Sequence, residues 1–424
     1  MAESPVSRVL LLMTTHTYRS GAFMRAAKRL GLQVVVATEE ANPLTEAEPS
    51  GSLAVDFSAP ERAAEAIRSF GRTAPLAAVI PAEDEGALVA AHANRLLGLR
   101  HNPPGAVAAT RDKARLRQML QGRPGLLNPG WKLLDLETDP EELAEEIRYP
   151  SVLKPRFLSG SRGVIRVDSP GEFVEAFRRV RRIVKTPGVA ELGGDLTDSL
   201  VCEDYIEGAE VAVEGLLDEG HLKVLAVFDK PDPMQGPYFE ETIYVTPSRL
   251  PSEVIDGAIG AVRRAAHELG LRTGPVHAEL RLNEAGAWLI EIAARSIGGL
   301  CAQTLRFDDG LSLEELILQQ ALGEDVSAVR REDGAAGVMM IPIPVPGTLV
   351  AVDGVDSAEG VRGIEQVVLT IPLGGKVVPL PEGDRYLGFI FARAEEPLEV
   401  ERALRQAHAS LRFIIEPGQG SGTL

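Results

Sequence analysis

Over the first hundred residues, short apolar runs alternate with amphipathic stretches. Residues 8–13, 33–38, 53–57 and 76–81 read as strands, and 21–30, 60–70 and 85–97 as helices. Runs such as VVV leave no polar face, so the alternation predicts a parallel α/β sheet covered on both sides. Between 111 and 325 the pattern mixes. Helices are expected over 111–121, after Asp139-Pro140, after Ser169-Pro170, over 251–271 and over 311–322. Strands are expected over 131–136, 151–154, 165–167, 200–206, 209–217 and 221–229, with a Pro/Gly-rich loop over 230–241. From about residue 326 strands are expected near 338–346, 367–371, 386–392 and 413–415, with helices near 357–366 and 396–411. That segment reads as a compact α+β appendage whose Gly/Ser-rich tail, 416–424, frays. No repeat of fixed period is present. The domains expected are 1–105, 106–325 with a smaller lobe near 125–204, and 326–424.

The sharpest local pattern lies in 274–300. Val276, Ala278, Leu280 and Leu282 alternate with His277, Glu279 and Arg281, which puts the two sets on opposite faces of a strand. On a second strand Glu291 and then Arg295 fall on odd positions, while Trp288, Ile290 and Ile292 fall on even ones. A three-residue turn, Glu284-Ala285-Gly286, with a left-handed Gly286, would set Glu279 directly opposite Glu291. Like charges opposed in a sheet repel, so a cation belongs between them, and a hard divalent ion suits carboxylate oxygens. A solvated hairpin face with two incidental glutamates is the plain alternative.

Composition narrows the class. A chain of 424 residues, 45% hydrophobic and 25% charged, has material for several packed domains. Its net charge of −17 argues against a nucleic-acid partner, and any phosphate site must be made locally. Cys202 and Cys301 lie in apolar surroundings and read as buried free thiols, which suits a reducing cytoplasm. The apolar run at 9–13 is too short for a signal peptide, and no run reaches the length of a membrane span.

Candidate chemistry clusters in four places. The loop Ser159-Gly160-Ser161-Arg162-Gly163 joins two strands and offers backbone N–H groups and hydroxyls to phosphate. No helix and no Lys-Ser/Thr follow it, so it is not a Walker A loop. Lys154 at a strand end and Lys113 on the preceding helix flank it. Glu203, Asp204, Tyr205 and Ile206 lead to Glu210 as an apolar strand that turns polar and resumes, a linker able to offer its backbone to an adenine edge. Thr14, Thr15, His16, Glu83 and Glu85 lie at predicted carboxyl ends of parallel strands, where such sheets bind ligands. The first of these loops has no G-x-G-x-x-G, so a dinucleotide site has no support.

Taken together, ATRDK (109–113), YPSVLKP (149–155), SGSRGV (159–164), VCEDYIEGAEVAVE (201–214) and HAELRL…WLIEIAARSIGG resemble the ATP-grasp superfamily of carboxylate–amine ligases, over roughly residues 1–325. EIAARSIGG, the stretch FDKPDPMQGPYFEE (228–241) and the C-terminal appendage look most like its L-amino acid ligase branch, whose members make dipeptides and related amides. The resemblance implies a pre-ATP-grasp α/β domain, two α+β lobes holding ATP, and a two-step reaction through an acyl phosphate that releases ADP and phosphate. It also implies roles. Lys113 and Lys154 would contact the phosphates, with Ser159–Gly163 covering them. Glu203 to Ile206 would hold adenine and Glu210 the ribose. Glu279 and Glu291 would bind Mg²⁺, with Mn²⁺ as an alternative. Arg295 would serve the migrating phosphoryl group or a substrate carboxylate, unless it only pairs with Glu279 or Glu291. Glu241, beside Tyr244, would hold the incoming ammonium, and Gly298-Gly299 would leave space for substrate. Many superfamily members have Asn two residues after the second metal glutamate; this chain has Ala293, which reads as a mark of the branch. The implied partners are small-molecule carboxylates and amines, with no nucleic acid and no membrane; a homodimer is left open. A carboxylase-type enzyme activating bicarbonate and a non-catalytic nucleotide-binding regulator remain the other readings, although no biotin-carrier segment is present.

Overall fold

The computed structural model describes residues 7–15, 17–39 and 51–417; His16 and the last seven residues of the Gly/Ser-rich tail lie outside them. The N-terminal region contains β1 (Arg8–Leu12), α1 (Ser20–Arg29), β2 (Gln33–Thr38), β3 (Ser52–Ala54), α2 (Pro60–Thr73), β4 (Ala78–Pro81) and α3 (Asp84–Leu97). Its sheet is parallel, in the order β3-β2-β1-β4. Alternate residues of β1 explain the two covered faces: Leu10 and Leu12 pack with Ile67 and Val89, while Val9 and Leu11 pack with Phe23 and with Leu316 from far along the chain. The helix expected over 111–121 is slightly shorter, and a further helix that was not expected lies before it. A short α4 (Pro104–Thr110) precedes α5 (Lys113–Leu120), whose start is fixed by Asp112 accepting from the Ala114 N–H. Pro104 opens α4, since proline suits a first helical turn.

The smaller lobe is built from β5 (Trp131–Asp135), α6 (Pro140–Glu145), β6 (Ser151–Pro155), β7 (Ile165–Val167), α7 (Pro170–Val184), α8 (Pro187–Gly193) and β8 (Ser199–Asp204), as an antiparallel sheet ordered β5-β8-β6-β7. Phe173, Phe177 and Val180 of α7 seal one face of that sheet. The β6–β7 loop requires its glycines. Gly160, Ser161 and Gly163 all have positive φ, and a Cβ on Gly163 would lie 2.6 Å from the Pro155 ring.

The largest sheet has eight strands. Its first part is β9 (Ala209–Asp218), β10 (His221–Lys230), β11 (Ile243–Thr246), α9 (Ser252–Leu269), β12 (Gly274–Asn283) and β13 (Gly286–Ala293). There follow a two-strand ribbon, β14 (Arg306–Phe307) with β15 (Leu311–Ser312), and α10 (Leu313–Ala321), which opens with a Ser312/Glu315 capping box. The chain ends with β16 (Ala335–Ile341), β17 (Gly347–Asp353), α11 (Val355–Glu359), β18 (Ile364–Leu369), β19 (Lys376–Val377), β20 (Gly388–Ala394), α12 (Pro397–Ser410) and β21 (Arg412–Glu416). The order β13-β12-β9-β10-β11-β16-β20-β18 shows that strands from beyond residue 326 continue the earlier sheet through β11 and β16.

Several expectations for this end are corrected. The helix near 357–366 is only Val355–Glu359, because Gly363 has φ +92 and the β-branched residues after it join a strand. The strand near 338–346 stops at Ile341, where Pro342, Pro344 and Pro346 remove ladder donors. Strands β11, β17 and β19 were not expected. Among the described residues, no helix is long and apolar enough to cross a membrane.

Candidate active site

A cavity of about 690 Å³ is lined by both lobes, by the carboxyl-end loops of the N-terminal sheet and by the residues leading into β20. Its wall on the large sheet is built in rows across strands. Lys230, Glu210 and Arg281 lie side by side on β10, β9 and β12. The next row is Phe228, Ala212, Glu279 and Glu291, and the third is Ala226, Glu214, His277 and Ala293. Alternation along each strand aims these residues at one face, and charges of opposite sign meet across the strands.

The Glu279–Glu291 opposition is present, but it arises differently from the expected three-residue turn. Asn283 pairs with Gly286, so the turn is Glu284-Ala285, and a bulge beyond Glu279 restores the missing residue. The bulge also corrects the expected placing of Ile290 with Ile292. Ile292 is buried in the core, whereas Ile290 lines the cavity beside Glu291.

Lys230 sits where three carboxylates converge. Its Nζ is 2.8 Å from Glu210, 2.6 Å from Glu241 and 3.1 Å from Glu279. Those three glutamates could by themselves gather a metal ion, but the ammonium already fills the position. Burial disfavours the charge on Lys230, yet the carboxylates outweigh it and hold the group well above its ordinary value. Burial pushes Glu241 up, to about 7, against the pull of Lys230. Tyr244 also donates to Glu241, at 2.7 Å. His277 bridges Glu214 through Nδ1, at 3.1 Å, and Glu279 through Nε2, at 3.4 Å. Burial alone would lower its pKa; the two carboxylates raise it to about 9, so the ring is an imidazolium at neutral pH. Glu214 is fully buried and accepts the Ile297 N–H as well.

Lys113 and Lys154 both reach the cavity. Lys113 Nζ donates to the Leu158 carbonyl and lies 3.9 Å from Glu291. Lys154 Nζ is 2.6 Å from Glu203, whose carboxylate also takes Arg117 at 2.7 Å. Arg117 donates on to the Leu289 and Ile290 carbonyls, tying β8 to the bulge of β13. Ser159, Gly160, Ser161 and Arg162 line the cavity. The fifth residue of that loop is corrected: the Gly163 N–H donates to the Pro381 carbonyl at 2.9 Å, so it is not free for a phosphate. Asp204, Tyr205 and Ile206 line the cavity, with the Tyr205 ring stacked on Phe239 and the Arg166 and Arg281 guanidinium groups against it. Glu210 also lines it, engaged by Lys230 and, at 3.0 Å, by Arg281.

Arg295 pairs with neither Glu279 nor Glu291, which corrects that alternative. Its Nε donates to Asp84 at 2.7 Å, reaching across to the first residue of α3. Burial and that neighbour oppose each other; the cation wins, and Asp84 titrates below the usual carboxylate range. Thr14 donates to Glu83 at 2.7 Å, and Thr14, Thr15, Glu83 and Glu85 all line the cavity, as do Gly298 and Gly299.

Sequence reasoning assigned no role to His277, Arg281, Lys230, Arg117 or Asp84. Two of these carried a signal: His277 and Arg281 share Glu279's face by simple alternation. Lys230 ends a strand before a proline as Lys154 does, a weaker hint. Arg117 and Asp84 depend on contacts between distant segments and gave none.

Residues 24–101 match the ATP-grasp N-terminal domain family, 147–304 the ATP-grasp domain family, and 339–416 the L-amino acid ligase C-terminal domain 2 family. An L-amino acid ligase from Bacillus licheniformis superposes with a TM-score of 0.81 at 27% identity, over 98% of this chain and 100% of that one. An alanine–anticapsin ligase of Bacillus subtilis is 30% identical over 52% of this chain and 49% of its own length. Carnosine synthase 1 of Gallus gallus is 31% identical over 54% of this chain and 25% of its own. The matches to these two named ligases thus span half of their length or less.

Proposed function

Because the chain belongs to the ATP-grasp superfamily of carboxylate–amine ligases, on the side of its L-amino acid ligase branch, we propose that it joins two amino acids through an amide bond at the expense of ATP. The observation that carries this reading is the opposed Glu279–Glu291 pair on one cavity wall, with Lys113, Lys154 and Arg295 lining the same space.

ATP lies with its base against the Asp204–Ile206 linker and Tyr205, and with its phosphates toward Lys113, Lys154 and the 159–162 loop. Glu279 and Glu291 fit a hard divalent cation, being two carboxylates opposed in the sheet and open to the cavity. Mg²⁺ or Mn²⁺ held there would supply charge to draw phosphate oxygens together. A substrate carboxylate oxygen attacks the γ-phosphorus, the bond to the β-phosphate oxygen breaks, and ADP leaves an acyl phosphate behind. The amine then attacks the acyl carbon and inorganic phosphate departs. Fixed cations do the protein's share of this work. Arg295 is held in place by Asp84, and the His277 imidazolium faces the same space, so neither must reorganise as charge develops. Glu241 holds the incoming ammonium and accepts its proton, since a carboxyl near pH 7 is matched to that transfer.

The test is phosphate release with ATP and Mg²⁺ across pairs of L-amino acids, run beside Glu291→Gln. Release that needs a particular pair and disappears in the variant supports the ligase. Release that depends on bicarbonate instead would move the enzyme to the carboxylase class.

A further inference from the structure

The cavity has two separate apolar groups, and ATP accounts for one. Tyr205, Phe239, Met234, Val152 and Val164 form a small cluster of their own beside the linker. The second belongs to the main core and comes from segments far apart in sequence. Phe389 of β20 meets Tyr18 edge-on at 6.3 Å and Tyr386 edge-on at 5.9 Å. Cys301 Sγ lies 3.8 Å from Met340 Sδ. A Cβ on Gly299 would come within 3.1 Å of the Phe389 ring and 4.0 Å of Cys301 Sγ, so these side chains make one continuous wall. All of them line the cavity. At the foot of the wall, a Cβ on Gly298 would meet nothing within 4 Å. Arg295 lies three residues before Gly298 in the chain, and Glu241, which accepts from Tyr244, lines the same cavity.

From this we infer that one of the two joined amino acids carries a large apolar side chain, such as that of phenylalanine, methionine or leucine, and seats it on the wall of Tyr18, Met340, Tyr386 and Phe389 over Gly298. The inference rests on the ligase reading of the site. Charged groups at the margin take the α-ammonium and α-carboxylate, which leaves the side chain to the wall. The wall's polar atoms are two tyrosine hydroxyls and a thiol. The wall itself carries no charge, so a charged side chain laid on it loses water without gaining a partner from the wall, and a small one leaves it empty.

Binding of single amino acids is measured by calorimetry to the full chain with Mg²⁺ and a non-hydrolysable ATP analogue, on a panel of phenylalanine, methionine, leucine, alanine, glutamate and lysine. The expected result is that a large apolar member binds at least about tenfold more tightly than alanine, the discrimination that several methylenes supply in an apolar pocket. Gly298→Val fills the open space without straining the backbone. It should weaken the large member about tenfold or more while changing alanine by less than about threefold. Tighter binding of alanine, glutamate or lysine by the natural chain would overturn the inference without reference to any variant. So would an equal loss across the panel in Gly298→Val. The pair-wise phosphate-release assay separates the two readings. Turnover that favours small or charged amino acids keeps the ligase and removes the apolar seat. Tight phenylalanine or methionine binding with no turnover for any pair keeps the seat and removes the ligase.

Discussion

Glu203 is 2% exposed and held between Arg117 and Lys154. Burial raises the pKa of such a carboxyl, but the two cations outweigh it and bring the value down from 4.5 to about 2. Folding therefore favours the ionised form. The resulting stabilisation is complete above pH 4.5 and is lost as pH falls towards 2, which a denaturant titration across that window will show. Glu203→Gln leaves two buried cations facing a neutral amide. It should cost about 3–5 kcal/mol at pH 7 by chemical denaturation, and it should also flatten the acid limb of the stability curve. At this scale the sequence was readable only in part. Lys154 and Glu203 could be marked as residues of the site from their places at strand ends. Their pairing could not, because Arg117 arrives from a helix 86 residues earlier. Arg295 shows the same limit: its acidic partner is 211 residues away, so the nearby glutamates looked the better candidates.

At the scale of elements, the β12–β13 hairpin was the most legible piece, since period-two alternation named the face and both glutamates. The tight turn and the bulge were not readable separately, because each shifts the register by one residue and the two shifts cancel at Glu279. Deleting Ile290 removes the extra residue. Glu291 then follows Leu289 directly and still falls opposite Glu279, so the pair should stay on the cavity face and phosphate release should survive, while the far-ultraviolet circular dichroism stays near that of the natural chain. A second element-level expectation concerns the turn before β20. Pro381 accepts the Gly163 N–H, Glu382 grips Arg179 through two bonds of 2.6 and 2.8 Å, and Asp384 meets Arg162 at 3.2 Å. Every one of these contacts reaches the smaller lobe, two of them its 159–163 loop. The Glu382–Arg179 pair is partly exposed, so Glu382→Gln should change stability by less than about 1 kcal/mol. Its effect should appear in catalysis, as a several-fold rise in KM for ATP in steady-state kinetics.

For the molecule as a whole, the cavity takes its walls from the N-terminal sheet, both lobes and the C-terminal segment. A ligand that fills it binds the folded chain and not the unfolded one. ATP with Mg²⁺ at about a hundredfold over its dissociation constant should add about 2.7 kcal/mol, seen as a rise in Tm by calorimetry. ATP alone should give a smaller rise, and Glu279→Gln should remove the difference. The parallel N-terminal sheet was readable because buried runs and amphipathic helices alternate in order. The eight-stranded sheet was not, because its strand order departs from chain order. That order has a bearing on how the protein is made. β20 lies between β16 and β18, and β16 pairs with β11 on its other side. While the ribosome has released the chain only as far as β18, β16 can be in place with its outer edge bare and β18 has no neighbour. Such an edge is a template for strands of other chains. A nascent chain stalled near residue 370 should therefore be the most aggregation-prone species of its synthesis, and β20 the strand whose arrival ends the hazard.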